Sequence, residues 1–171
     1  MDRKGAVTFK GNPLTLVGPA LEAGDKAPDF TALDSGLGAV TLASSKGKVR
    51  LFSVVPSLDT PVCSIQTKRF NDAVAKLPAS VAPYAVSCDL PFAQARFCGA
   101  EKVDRMKAIS DHRDVSFGAA YGVLVKELRL LARAVFVVDA ADRIAYVQVV
   151  PEMTSEPDYE KALEAVRKAA K

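Results

Sequence analysis

Cysteine and histidine are scarce in this chain of 171 residues, which has three of the first and one of the second. The cysteines form neither CxxC nor CxxH spacing, so the sequence offers no zinc site and no disulfide scaffold. The missing CxxC also argues against a dithiol oxidoreductase of the thioredoxin type. No run of about 18 apolar residues occurs, so no membrane span is expected. The opening stretch MDRKGAVTFKGNPLTL carries charges but no apolar core and no small-residue cleavage site. It does not read as a secretory leader, and a cytoplasmic location is expected. In that reducing compartment a disulfide among the three cysteines is catalytic sooner than structural. The 23 basic and 20 acidic residues give a net charge of +3, but the basic ones are scattered, which is not the footprint of a nucleic-acid binder. The glycines form neither GxGxxG nor a P-loop, so no nucleotide is expected, and no other cofactor or metal is signalled. Repeats, linkers and low-complexity tracts are missing as well. With 49% hydrophobic and 25% charged residues, the chain is expected to form one domain over residues 1–171 with a full core.

What is present is arranged around the stretch VVPSLDTPVC, Val54 to Cys63. The apolar, β-branched run Val49 to Val55 predicts a buried strand. It ends at Pro56, and after a short polar loop the spacing of Ile65, Phe70, Val74 and Leu77 predicts an amphipathic helix from about Val62 to Leu77. Cys63 therefore falls in the first turn of a helix that follows a central strand. The N–H groups of that turn have no intrahelical partner, and the macrodipole places about half a positive charge there, which stabilises a thiolate. The plain alternative is a buried structural cysteine, the usual fate of a free one. Pro56 and Pro61, which stiffen the loop, and Thr60, three residues before the sulfur, favour a reactive one.

The remaining elements follow from the same reasoning. Val7–Lys10 and Leu14–Val17 flank Gly11-Asn12-Pro13 as a small hairpin, and short strands are expected at Phe30–Leu33 and Ala39–Leu42. Tyr84–Cys88 and Met106–Ser110 read as buried strands, and Phe117–Tyr121 as a helical turn. Between those two strands, Leu90–Cys98 reads as a short helix with Asp89 as N-cap, Pro91 in the first turn and Gly99 ending it. Ala134–Val138 and Ile144–Val150 form a strand pair, and Asp158–Ala170 closes the chain as a helix. Alternating β and α predicts an α/β fold with a mainly parallel sheet and helices on both faces.

Pro56-x-x-x-Thr60-x-x-Cys63 resembles the active-site motif of the peroxiredoxins. The longer strings SLDTPVC (57–63) and DLPFAQARFCG (89–99) resemble the thiol peroxidases, the atypical two-cysteine type. The similarity runs from about Val7 to the last helix. It implies a thioredoxin-like fold, a central mixed sheet flanked by helices with an N-terminal β-hairpin. It further implies a thiol-dependent peroxidase acting on hydrogen peroxide and organic hydroperoxides, with Cys63 as attacking thiol, Cys98 as resolving thiol and Arg133 as catalytic arginine. Thioredoxin would reduce the Cys63–Cys98 disulfide, the assembly would be a homodimer, and no cofactor would be needed.

Thiolate formation alone does not make a peroxidase. A thiol whose pKa falls from about 8.5 to about 6 gains about thirtyfold in thiolate at pH 7, but a Brønsted slope near 0.45 takes back about thirteenfold. The rest has to come from groups that orient the peroxide and meet the charge as the O–O bond breaks. Thr60 offers a hydroxyl, and Val62 and Cys63 offer helix-start N–H groups. Arg133, immediately before an apolar strand, offers a permanent cation, its alternative being a surface arginine at a strand end. Pro56 is expected to shield Cys63 from water, with Gln66 and Arg69 as supports behind the site. Leu58, Pro61 and Phe92 suit alkyl or lipid hydroperoxides. A sulfenic acid on Cys63 would condense with a second thiol. That needs Cα atoms within about 7 Å, so one or both helix ends are expected to unwind in each cycle. Cys88 reads as structural, with a competing resolving thiol as the alternative. His112, in Ser110–Arg113, suggests a Cys–His hydrolase only weakly and reads as a solvated loop residue. A redox sensor relaying disulfides to a partner would use the same cysteines, and peroxide turnover separates it from an enzyme.

Overall fold

In the computed structural model, which describes residues 1–171, the chain runs in a regular order. It begins with β1 (Asp2–Phe9), β2 (Asn12–Val17), β3 (Ala32–Leu33), β4 (Ala39–Val40) and β5 (Val49–Val54), followed by α1 (Pro61–Val74) and β6 (Val81–Ser87). It continues through α2 (Pro91–Ala100), β7 (Lys107–Ser110), α3 (Ser116–Ala120), β8 (Leu124–Val125) and β9 (Leu130–Leu131). It closes with β10 (Ala134–Val138), β11 (Ile144–Val149) and α4 (Tyr159–Ala169). A 3-10 turn covers Leu42–Ser45. No helix is long and apolar enough to cross a membrane.

Every residue of β5 is buried, as expected of a strand covered on both faces. It lies inside a seven-stranded mixed sheet ordered β11-β10-β5-β6-β7-β3-β4. β5, β6 and β7 are parallel, whereas β10 runs antiparallel to both β5 and β11. Side chains alternate along β5. Val49 and Leu51 point to one face, into a cluster with Phe70 and Val74 of α1 and with Ala162, Leu163 and Val166 of α4. Phe52 and Val54 point to the other face, into the largest cluster, with Phe117 and Tyr121. That cluster also takes Val7, Leu16, Leu124 and Leu131 from a second, four-stranded sheet ordered β1-β2-β8-β9. The fold is thus the thioredoxin-like arrangement expected, with the hairpin belonging to a small sheet of its own. The main sheet is mixed rather than mainly parallel, since only β5, β6 and β7 pair in parallel.

Several expectations are corrected. β1 begins at Asp2 rather than Val7, because its pairing with β2 extends to Asp2 opposite Val17. The hairpin reverses at Lys10 and Gly11, both at positive φ (49° and 81°), and Pro13 lies within β2 opposite Thr8. Positive φ at both central residues matches the right-handed twist of the flanking strands. Phe30 stands outside β3 and is an aromatic core residue, its ring centroid 5.6 Å from that of Phe52. The strands β8 and β9 were not expected. In α2 the N-cap is Leu90, which makes no side-chain cap, and the helix runs through Gly99 to Ala100. Asp89, expected to cap that helix, is engaged elsewhere.

Candidate active site

The parallel strands deliver the chain to a loop, residues 55–60, at their C-terminal ends, and Asp89 fixes it. Its carboxylate accepts from Ser57 Oγ (2.7 Å), the Leu58 N–H (2.8 Å) and Ser87 Oγ (2.7 Å). The residue read as a helix cap is therefore the anchor between the end of β6 and the loop before α1. Thr60 is the N-cap of α1 in extended conformation and Pro61 its first residue, where the missing N–H costs nothing. Cys63 follows in the first turn.

The Cys63 side chain is fully buried among Val55 and Leu58, with Phe97 of α2 against the same cluster. One polar group reaches its sulfur, Arg133 Nη2 at 3.3 Å. Arg133 sits immediately before β10 and is only 2% exposed, so the surface-arginine alternative is set aside. Its Nη1 donates to Gln66 Oε1 (3.0 Å), while Nε and Nη2 donate to the Met153 carbonyl (3.0 and 2.8 Å). Gln66 is oriented in turn by donating from Nε2 to Ser53 Oγ (2.8 Å). A chain of contacts, Ser53–Gln66–Arg133–Cys63, thus links a strand and a helix to the sulfur. The guanidinium's hydrogen-bonded neighbours are neutral oxygens and the sulfur. Negative charge arising at the sulfur or on an oxygen beside it meets a cation that no carboxylate has neutralised.

The Thr60 hydroxyl donates to the Ser57 carbonyl at 3.0 Å, so its lone pairs remain free to accept while its proton is engaged. Pro56, within the loop, is buried. Pro56, Thr60, Pro61, Val62 and Arg133 line a pocket of about 230 Å³. The rest of its wall comes from Phe9 and Lys10 at the hairpin tip and from Met153 and Thr154. Neither part of that wall carried a sequence signal, since a turn tip and a backbone carbonyl become partners only through the tertiary fold. A larger cleft of about 530 Å³ between β11 and α4 contains no cysteine and lies apart from this chemistry.

Two expected neighbours, Arg69 and Phe92, fall elsewhere, and His112 stays outside the site as expected. Arg69 is exposed, lies 4.0 Å from the Tyr159 ring centroid and pairs with Glu156 at 3.8 Å. Phe92 is 65% exposed and lies outside the pocket, whereas Leu58 is buried in the Cys63 cluster. His112 follows β7 and takes no part in a hydrogen bond to any cysteine.

All three cysteines are free thiols. Cys98, half-buried on α2, packs on the α1/α4 face of the sheet, and burial pushes its thiol pKa up. Cys88 packs on the opposite face, against the large cluster. Burial, with Asp111 and Asp89 adding repulsion, pushes its thiol up to about 12. Cys63 and Cys98 both lie within helices, and Phe97, next to Cys98, is the side chain that bridges their surroundings.

Residues 22–163 match the family model described as Redoxin. The chain is 57% identical to a thiol peroxidase of Halalkalibacterium halodurans over 96% of its own length and 98% of the relative's. It is 54% identical to a thiol peroxidase of Bacillus subtilis, again over 96% and 98%. Among solved structures, a peroxiredoxin-like protein from Aquifex aeolicus superposes with a TM-score of 0.90 at 42% identity, covering 98% of this chain and 99% of that one.

Proposed function

The chain belongs to the thiol peroxidases of the redoxin family, and from that premise we propose that Cys63 is the thiol that attacks the hydroperoxide. The observation that carries this reading is the buried Arg133 guanidinium 3.3 Å from the Cys63 sulfur, in the wall of the pocket beside it. In the first step the sulfur forms a bond to one peroxide oxygen as the O–O bond breaks, and the alcohol or water leaves with a proton. Arg133 meets the charge that develops, the Thr60 oxygen accepts from the incoming peroxide, and Pro56 restricts water. Cys63 is left as a sulfenic acid. The Cys98 sulfur then attacks it, forming the disulfide and releasing water. Because both cysteines lie within helices, that step is accompanied by unwinding of a helix end. Cys98 resolves rather than Cys88, which faces the other side of the sheet and holds its proton more tightly.

A dithiol partner, thioredoxin, reduces the Cys63–Cys98 disulfide and is itself oxidised. Residues 1–171 act as one domain. A reducing, cytoplasmic location suits a cycle in which a dithiol partner breaks the Cys63–Cys98 disulfide. Exposed Ile65 and Phe92, on the helices that carry the cysteines, with Leu90 just before α2, supply an apolar surface for a homodimer.

The test is steady-state hydroperoxide reduction with thioredoxin as reductant. Wild type is expected to turn over and Cys63→Ser to be inert. Cys98→Ser is expected to consume one equivalent of hydroperoxide without thioredoxin-dependent turnover. Full activity in Cys63→Ser would remove the reading.

A further inference from the structure

Glu152 lies in the segment between β11 and α4, outside the sulfur's own contacts, and is held by four donors. Its Oε1 accepts from the Gly11 N–H (2.8 Å) and Thr8 Oγ1 (3.1 Å), both of the N-terminal hairpin. Its Oε2 accepts from the Thr154 N–H and Thr154 Oγ1, each at 2.8 Å. None of these donors carries a charge. A carboxylate accepting several such bonds is held ionised, and that of Glu152 is lowered to about 2. Backbone bonds run alongside, Thr8 N–H to the Pro151 carbonyl (2.7 Å) and Met153 N–H to the Thr8 carbonyl (2.8 Å). The residue next to Glu152 is Met153, whose carbonyl takes two of the bonds that orient Arg133.

One carboxylate therefore ties together two things the reaction needs. The hairpin tip supplies Phe9 and Lys10 to the pocket's wall, and the 152–154 segment supplies the carbonyl that aims the guanidinium at the sulfur. We propose that Glu152 is a positioning residue for the reaction. It clamps the hairpin turn to the segment holding Arg133, and so sets both the aim of the guanidinium and the width of the pocket for the group carried by the hydroperoxide. The proposal rests on the peroxidase reading above. Glu152 touches neither sulfur nor substrate; it acts through Met153, Arg133 and the turn. Glutamine replaces it only in part, because an amide offers one oxygen where two sets of donors converge.

The test measures kcat/KM for hydrogen peroxide and for bulky cumene hydroperoxide in wild type, Glu152→Ala, Glu152→Gln and Thr8→Val, with folding checked by circular dichroism. A displacement of about 1 Å can cost about a hundredfold in rate, so Glu152→Ala is expected to lose about tenfold or more on both substrates. The preference between the two substrates is also expected to shift, since the part of the wall made by Phe9 and Lys10 moves with the turn. Glu152→Gln is expected to fall between wild type and Glu152→Ala. Thr8→Val, which removes one donor and leaves the Thr154 side intact, should move the preference in the same direction by less. A merely structural role would scale both rates by one common factor. A preference unchanged in the folded variants, Thr8→Val included, overturns the proposal while leaving the peroxidase reading in place. Wild type without turnover on either substrate would remove both.

Discussion

At the scale of single residues, Arg133 carries the argument. A guanidinium buried to 2% exposure, with neutral oxygens and one sulfur as its partners, stands ready for charge that appears during reaction. Its replacement by leucine is expected to lower kcat/KM by roughly 10²–10³, the cost of removing one preorganised donor to a developing anion. Lysine should restore little, since one ammonium cannot reach Gln66, Met153 and the sulfur together in the fork geometry of the native side chain. Stopped-flow peroxide reduction on both variants measures this, and a loss below about threefold would show that the contact is structural. Cys88 gives the opposite expectation. With its thiol pushed up to about 12 and its side chain on the far face of the sheet, Cys88→Ala should keep nearly all peroxidase activity. Loss of the peroxide-induced disulfide in that variant would make Cys88 the resolving thiol.

The elements that position these residues differ in how well the sequence announces them. β5 and α1 are plain in the run Val49–Val55 and in the spacing of Phe70 and Val74, because burial on both faces and an amphipathic face each leave a periodic trace, although Ile65, read onto the same face, is exposed. β8 and β9 have two residues apiece and are strands only because they pair with β2 and with each other, so periodicity had nothing to act on. Asp89 is a misreading of a different kind. A carboxylate before a proline-led helix looks like a cap, yet three donors from β6 and the loop before α1 hold it instead. The consequence falls on α2, which is left without a side-chain cap, acidic first turn or basic last turn. It also contains Gly99, and glycine costs a helix about 1 kcal/mol relative to alanine. By contrast α4 is capped by Asp158 and carries Arg167 and Lys168 in its last turn. Amide hydrogen exchange in the thiol form is expected to be faster across α2 than across α4. Equal protection would mean that α2 is not the helix that gives way when Cys98 moves toward Cys63.

For the molecule as a whole, the α1/α4 face of the main sheet carries both candidate cysteines, while the small sheet covers the other face and extends a turn to the pocket. The central sheet and the placement of Cys63 were legible from the order of elements. The contribution of the N-terminal hairpin was not, because it depends on a pairing between Thr8 and Glu152 at opposite ends of the chain. That pairing bears on acid stability. Glu152 has its carboxyl lowered from 4.5 to about 2, so its contribution is fully present above about 4.5 and is lost as the pH falls through about 2. Glu152→Gln should therefore be less stable than wild type at pH 7, with the difference closing as the pH is lowered from about 4.5 towards 2. Denaturant unfolding across that range checks it, and a difference independent of pH would contradict it.

The account turns on which sulfur attacks peroxide and which one answers. Peptide mass mapping after one equivalent of hydroperoxide, on wild type and on Cys98→Ser, tests this most directly. A Cys63–Cys98 disulfide in wild type and a sulfenic acid persisting on Cys63 in the variant are the predicted results. A Cys63–Cys88 link would contradict the assignment of Cys98, and an unmodified Cys63 would contradict the account at its centre.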